Sequence, residues 1–240
     1  MPDNASSTGP FVARLQGALY GFLHATVRHT FLGATVRAWL MNLPILLALF
    51  LPLLGWPIAW SIAMLVLALI LRLLYWKAKR DGYVRFVAES DQQPGDSAPA
   101  VADNQKVALK ATGVFSVKDW EEYMLGRPAD YWRVPMGDHA VMVQYSPGRF
   151  LYQFIRLGSI DAIRAGSLFH GRWPQKALAI TYLTSWGPET DDVDFMFYAP
   201  SDEDNPSAVK RKMFLAFENE SIRSSVWRNL LPDGSQPLDE

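Results

Sequence analysis

The sequence predicts a membrane-anchored protein in two parts: an N-terminal interfacial helix with a transmembrane helical hairpin, then a water-soluble β-rich domain ending in an α-helix. Three observations predict it. No charged residue occurs from Leu40 through Leu71, thirty-two positions in a row. Residues 1–80 carry seven Lys or Arg against one acid, Asp3, whereas residues 103–240 carry nineteen acids against fifteen bases. Beyond residue 105 the apolar residues recur with a period of two, the mark of half-buried strands.

A spanning helix needs ~20 apolar residues, and the uncharged run written as one helix is roughly 48 Å long against a hydrocarbon core of about 30 Å. The aromatic residues favour a fold-back. They fall in three clusters, Trp39, then Trp56 with Trp60, then Tyr75 with Trp76, and Trp and Tyr concentrate at headgroup level. A turn between Pro52 and Pro57 puts the middle cluster at the far interface and the others at the near one. Gly55 tolerates φ > 0 and Pro57 suits the first helical position. Residues 37–80 are therefore expected as a hairpin. The alternative is one span, Ile58 to Trp76, with the first arm on the surface or re-entrant, because Asn42 and Pro44 weaken that arm.

Arg28 and Arg37 precede the first arm, and Lys77, Lys79, Arg80 and Arg85 follow the second. The excess of cations at both ends predicts cytoplasmic termini. Arg72 sits one turn inside Trp76 and reads as a snorkelling anchor. Pro2 to Pro10 is polar and Ser-rich, unlike a secretory signal, so the apolar stretch is expected to be retained.

Residues 1–36 precede the hairpin. Within Phe11 to Val36, the spacing of Phe11, Leu15, Leu19, Phe22 and Leu23 predicts an interfacial amphipathic helix. Ala13, Gly17, Gly21 and Ala25 recur at four-residue steps, a stripe that lets another helix approach closely or that chance supplies in an alanine- and glycine-rich segment.

Residues 81–104 are expected as a flexible linker, since the stretch from Ala88 to Asn104 is rich in Ser, Pro, Asp and Gln and poor in large apolar side chains. Residues 105–232 then form the soluble domain, with 233–240 a disordered tail. Strands are predicted at Val107–Val117, 140–145, 150–155, 162–169, 178–186 and 193–199, with a turn at Ser146-Pro147-Gly148-Arg149 and a hairpin loop at 187–190. After the acidic loop Asp202-Glu203-Asp204, Asn205-Pro206 predicts the start of a helix running to Leu231. Its apolar face is Val209, Met213 and Phe217, then Ile222, Val226 and Leu230, with a bend near Asn219. Trp120, Tyr123, Tyr131 and Trp132 are expected in a long loop, Lys118 to Gly137, where they cap the domain or form an interaction surface.

Six or seven short antiparallel strands closed by one C-terminal amphipathic helix, preceded by apolar helices, resemble the membrane-tethered pleckstrin-homology-like (PH-like) domains of bacteria. The resemblance spans Leu109 to Leu231 and includes Gly126-Arg127-Pro128 and Val134-Pro135-Met136-Gly137-Asp138-His139. It implies a PH-like β-barrel on the cytoplasmic face of a bacterial inner membrane. Specific phosphoinositide binding, which that class achieves with a basic loop between its first two strands, is not expected: Lys118, Arg127 and Arg133 are balanced by Asp119, Glu121, Glu122 and Asp130.

No catalytic, cofactor or metal site is read from the sequence. There is no cysteine, hence no thiolate ligand or nucleophile. His139 beside Asp138 reads as a turn. The clusters Glu189, Asp191, Asp192, Asp194 and Asp202, Glu203, Asp204 lack the alternating ligands of a calcium loop. A net-acidic domain argues against nucleic acid. The expected role is a non-enzymatic scaffold or regulatory accessory protein whose partners are the bilayer and either a second protein or its own copy. Alternatives are a lipid- or membrane-state-sensing module and an accessory subunit of a membrane enzyme or transporter.

Overall fold

The computed structural model describes residues 10–89, 99–117, 120–134, 140–145, 151–170, 173–185 and 208–231. The chain divides into two compact units, residues 1–85 with 169–174, and residues 86–168 with 175–240.

The first unit is helical. Helix α1 (Pro10–Arg28) leads through a two-residue-strand hairpin, β1 (Thr30–Phe31) and β2 (Ala34–Thr35), into α2 (Val36–Phe50) and then α3 (Ile58–Arg80). Thr35 starts α2 by accepting the Ala38 N–H on its hydroxyl at 3.2 Å, a side-chain cap that satisfies one of the free amides of a first turn. Between α2 and α3, Gly55 takes φ 78° and its N–H bonds the Pro52 carbonyl at 3.0 Å. The glycine does what the sequence requires of it; Pro57 precedes the first helical residue instead of occupying it. Arg37, near the start of α2, lies over the ring of Tyr75, near the end of α3, so the two helices run antiparallel. At ~1.5 Å per residue α3, with 23 residues, is long enough and apolar enough to cross a membrane, whereas α2, with 15, is apolar but shorter.

The second unit is one antiparallel sheet with a helix on its core. The strands are β3 (Arg85–Ala88), β4 (Lys106–Val117), β5 (Trp120–Val134), β6 (Ala140–Tyr145), β7 (Tyr152–Arg156), β8 (Ile160–Phe169), β9 (Pro174–Ser185) and β10 (Ala208–Phe217), followed by α4 (Glu220–Leu230). Their order in the sheet is β3-β8-β9-β10-β4-β5-β6-β7. One pairing, Ser116 with Tyr152, brings β7 back to β4, but β3 and β7 do not pair, so the sheet is not closed into a barrel. Phe115, Val143, Leu151, Leu178, Ile180, Met213 and Leu215 fill the core, and Val226, Trp227 and Leu230 of α4 complete it.

Three sequence expectations are corrected here. The helix expected from Asn205 to Leu231 is a strand, β10, followed by the shorter α4. Val209, Met213 and Phe217 recur every fourth residue, a spacing that suits one face of a helix and equally one face of a strand; pairing along β9, from Ala208 with Ser185 to Phe217 with Lys176, decides for the strand. The expected bend at Asn219 is the cap of α4, where its side chain accepts the Ile222 N–H at 2.9 Å. The expected long loop contains β5, fifteen residues bent at a bulge where Leu125 and Gly126 oppose Thr112. Gly126 takes φ 56° there and donates its N–H to the Thr112 hydroxyl at 2.9 Å, a left-handed position that suits glycine.

The third correction concerns the linker. Residues 85–88 are β3, at the edge of the sheet beside β8, and Glu89 continues the pairing with an N–H bond to the Ala165 carbonyl at 3.0 Å. A Cβ at Gly166 of β8 would run into the Val87 carbonyl and the Phe86 ring, so the absence of a side chain there is what lets β3 approach. At the far end of the expected linker, Val101 is buried, and its N–H and C=O both bond the Asn229 side chain, at 2.6 and 2.8 Å. Residues 90–98, the turn at 146–149, the run at 193–199, the loop at 187–190, His139, both acidic clusters and the tail lie outside the described residues.

Arg223 fixes these parts to one another. It is fully buried. Its guanidinium donates to Glu89 at 2.9 Å, to Glu220 at 2.6 and 2.9 Å, and to the Gly166 carbonyl at 3.3 Å. Lys176 also donates to Glu89, at 3.0 Å. Burial pushes the Glu89 carboxyl up, but the hydrogen bonds and charges of Lys176 and Arg223 outweigh it and hold the group below its ordinary value. Because the folded pKa is depressed, the stability Glu89 contributes is full above the unfolded carboxylate pKa and is lost as the pH falls through the folded value. Glu89→Gln is expected to lower the stability of this unit by roughly 1.5–3 kcal/mol at neutral pH and to shrink the loss of stability on acidification. Denaturant titration of the full chain in detergent at several pH values, followed by tryptophan fluorescence, checks this. An acid limb identical to that of the parent would show that the ion pair contributes nothing.

Candidate functional site

The structure departs from an ordinary soluble surface on α2 and α3. The outward faces of α2 and α3 expose Leu43, Leu49, Phe50, Ile58, Ile62, Leu65, Leu69 and Leu73. Only 17% of the apolar window of α3 is buried, so α3 is not the core helix of a globule. Contiguous apolar surface on this scale marks a membrane or partner contact, since soluble monomers seldom expose more than a few hundred Å² in one patch.

The proposed interface residues divide in two. Trp56 and Trp60 meet edge to face at the hairpin tip, 5.9 Å between centroids. Trp76 is exposed beneath Arg80, whose guanidinium lies 5.3 Å from the ring, and Arg72 is exposed. Trp39 is at the exposed edge of α2, with its indole N–H bonded to the Phe31 carbonyl at 2.8 Å. Tyr75 differs from the anchoring role expected of it: it is buried, its hydroxyl is 2.5 Å from that of Thr26 on α1, and it serves helix packing.

The inner face of α1 is small and polar, its outer face apolar. Ala13 and Gly17 are buried and Gly21 and Ala25 half-buried; α1 packs on α2 and α3 of its own chain, so this stripe supports an intramolecular seam. Tyr20, one turn beyond Gly17, is buried and donates its hydroxyl to the Asp81 carboxylate at 2.6 Å. Gln16 donates to the same hydroxyl at 2.8 Å. Burial, and next the bond to Asp81, pushes the Tyr20 hydroxyl up to about 12, so it stays a donor. Asp81 is the sole acid between residues 10 and 88 and stands at the C-terminus of α3, where the helix dipole disfavours an anion; the tyrosine hydroxyl is its compensation. Sequence reasoning missed this contact because nothing in the local pattern links positions sixty-one apart.

The four aromatic residues expected as an interaction loop do not form one patch. All lie on β5. Tyr131 is buried in the core, Trp132 is half-buried under the Lys106 ammonium at 5.1 Å, and Tyr123 is exposed. The side chain of Trp120 lies outside the described residues.

Inside the sheet unit, the register Tyr131–Val143–Gln153 across β5, β6 and β7 aligns three fully buried side chains in one row. The Tyr131 hydroxyl and the Gln153 carbonyl oxygen in this row have no hydrogen-bond partner among the described residues. Burial pushes the Tyr131 hydroxyl up, against the opposing charge of Arg133, which keeps it protonated. Among the described residues, no group of three or more His, Asp or Glu side chains is placed to hold a metal ion. His24 packs against Tyr83, with ring centroids 5.2 Å apart.

No protein-family model, curated protein or solved structure matches this chain.

Two outcomes test this geometry. Tyr20→Phe removes a hydrogen bond to a charged acceptor worth about 1.5 kcal/mol, so amide hydrogen exchange in α1 is expected to speed up about tenfold while exchange in α4 is unchanged; equal rates in α1 would show the contact to be idle. Tyr131→Phe removes a buried hydroxyl that has no partner among the described residues, so it is expected to be neutral or to stabilise by up to about 1 kcal/mol in thermal unfolding, and a clear loss of stability would contradict that.

Proposed function

We infer that this chain is a non-enzymatic adaptor of the bacterial inner membrane, in which α2 and α3 form a transmembrane hairpin and the sheet unit is a PH-like domain offered to a protein partner in the cytoplasm. The observation that carries this reading is the exposed apolar surface of α2 and α3 bounded at one end by Arg28, Arg37, Arg72, Lys77, Lys79 and Arg80. Water rejects such a surface, and a bilayer with cations held on its cytoplasmic side accepts it. The PH-like reading is supported by seven consecutive antiparallel strands, β4 to β10, and one C-terminal helix packed on their core.

The shortness of α2 does not weigh against a hairpin. Its 15 residues reach ~22 Å, and the Pro52–Leu54 turn with Trp56 adds to that at the far interface, while thinning or tilting absorbs modest mismatch. The adaptor role draws on the sheet unit, whose buried Arg223 is engaged by Glu89, Glu220 and the Gly166 carbonyl.

A cytoplasm-dependent reporter fused ahead of Met1 or after Glu240 is expected to be active in both fusions, and the chain is expected to resist alkaline carbonate extraction. Activity in only one fusion would replace the hairpin by a single span. Affinity purification from membranes in mild detergent is expected to recover a companion protein or a second copy; a lone monomer would remove the adaptor role.

A further inference from the structure

We propose that the loop between α1 and α2 is a membrane-inserting finger, whose Phe31–Leu32 tip enters the headgroup–acyl boundary of an anionic leaflet. The inference rests on the membrane-anchor reading above and adds a second lipid contact, confined to the leaflet that faces the cations.

The tip is built at a conformational cost. Leu32 and Gly33 both take positive φ, 49° and 79°, as a two-residue hairpin turn of the tight, right-twisted kind requires. Asn or Asp is the residue type that accepts the first of these positions readily; a leucine there is strained. It gains nothing by packing, for Leu32 is 77% exposed and Phe31 is 62% exposed. An apolar pair held out on a strained turn calls for a surface that takes it up.

Three contacts set its depth. The Thr26 hydroxyl of α1 meets the Tyr75 hydroxyl, Arg37 of α2 lies over the Tyr75 ring at 5.3 Å, and the Trp39 indole bonds the Phe31 carbonyl. Tyr75 adjoins Trp76, Lys77 and Lys79 at the cationic end of α3. Trp39 is two residues further along α2 than Arg37 and so about 3 Å deeper. The finger therefore stands at the edge of the apolar surface of the hairpin and is continuous with it. On α1, Phe11, Leu15, Leu19 and Phe22 are exposed as well.

Charge selects the occupant. Arg28, Arg37, Lys77, Lys79 and Arg80 lie close to this level along the chain, and the one acid between residues 10 and 88, Asp81, is engaged by Tyr20. An apolar wedge beside cations fits lipid with anionic headgroups, to which both the buried apolar area and the electrostatic attraction contribute.

The chain has no cysteine, so single-cysteine variants of the full chain report position cleanly. L32C carries an environment-sensitive fluorophore in vesicles of phosphatidylethanolamine and phosphatidylglycerol, with L69C in α3 and D103C in the sheet unit as references. The label at 32 is expected to emit to the blue of that at 103, to lose most of its quenching by aqueous cobalt, and to be quenched more by nitroxide lipids labelled near the headgroup than near the acyl end. In the L32N background, where Asn keeps the turn, a label at F31C is expected to lose its blue shift. Full cobalt quenching at 32 with 69 shielded would overturn the finger and leave the hairpin standing. Water access at both would overturn the anchor reading and the finger with it. Shielding from cobalt without quenching by either lipid would show the tip covered by protein, which also overturns the proposal.

Discussion

A guanidinium buried without access to water is tolerated only when its donors are all directed at acceptors, because an unpaired buried charge costs several kcal/mol. Arg223 is in that position, and its requirement organises the sheet unit. Glu89 must follow β3 to the end of β8, Glu220 must sit one turn earlier on α4, and the Gly166 carbonyl must be free of a side chain that would hold β3 away. Strand, neighbouring strand and helix are thereby fixed by one side chain. Asn229, nearly two turns further along α4, does the same for Val101 with two neutral hydrogen bonds. The helix that completes the core thus also holds both flanks of the segment between β3 and β4.

That arrangement places the connection between the two units differently from the composition of the chain. The Ser-, Pro- and Asp-rich stretch begins after β3, so it connects two strands of one sheet. Between the last residue of α3 and the first of β3 there are four residues, Asp81 to Val84, and Tyr83 among them is buried with its ring against His24. The covalent path from helix to sheet is short.

In the helical unit the polarity runs the other way from a soluble bundle. Polar atoms are turned inward, where Tyr20 meets Asp81 and Thr26 meets Tyr75, and many leucines, isoleucines and tryptophans of α2 and α3 are turned outward. Close approach at small residues and hydrogen bonds between side chains supply the association of α1 with α2 and α3. Ala13 and Gly17 provide the first and Tyr20 and Thr26 the second.

The sequence by itself determined what depends on composition and on neighbours along the chain. The uncharged run, the glycine turn at Gly55, the cations at both ends of the hairpin and the strand at Val107–Val117 are all local signals, and the structure places helices, turn and strand accordingly. Only the tertiary structure decided the rest. A four-residue apolar spacing at Val209, Met213 and Phe217 fits a helix or a strand, and hydrogen bonds from β9 chose between them. The charged, Gly- and Pro-bearing stretch around Gly126 looks like a loop until β4 and β6 pair with it. Arg223 with Glu89 and Tyr20 with Asp81 join residues 134 and 61 positions apart, and no periodicity in a chain carries the identity of a partner so distant.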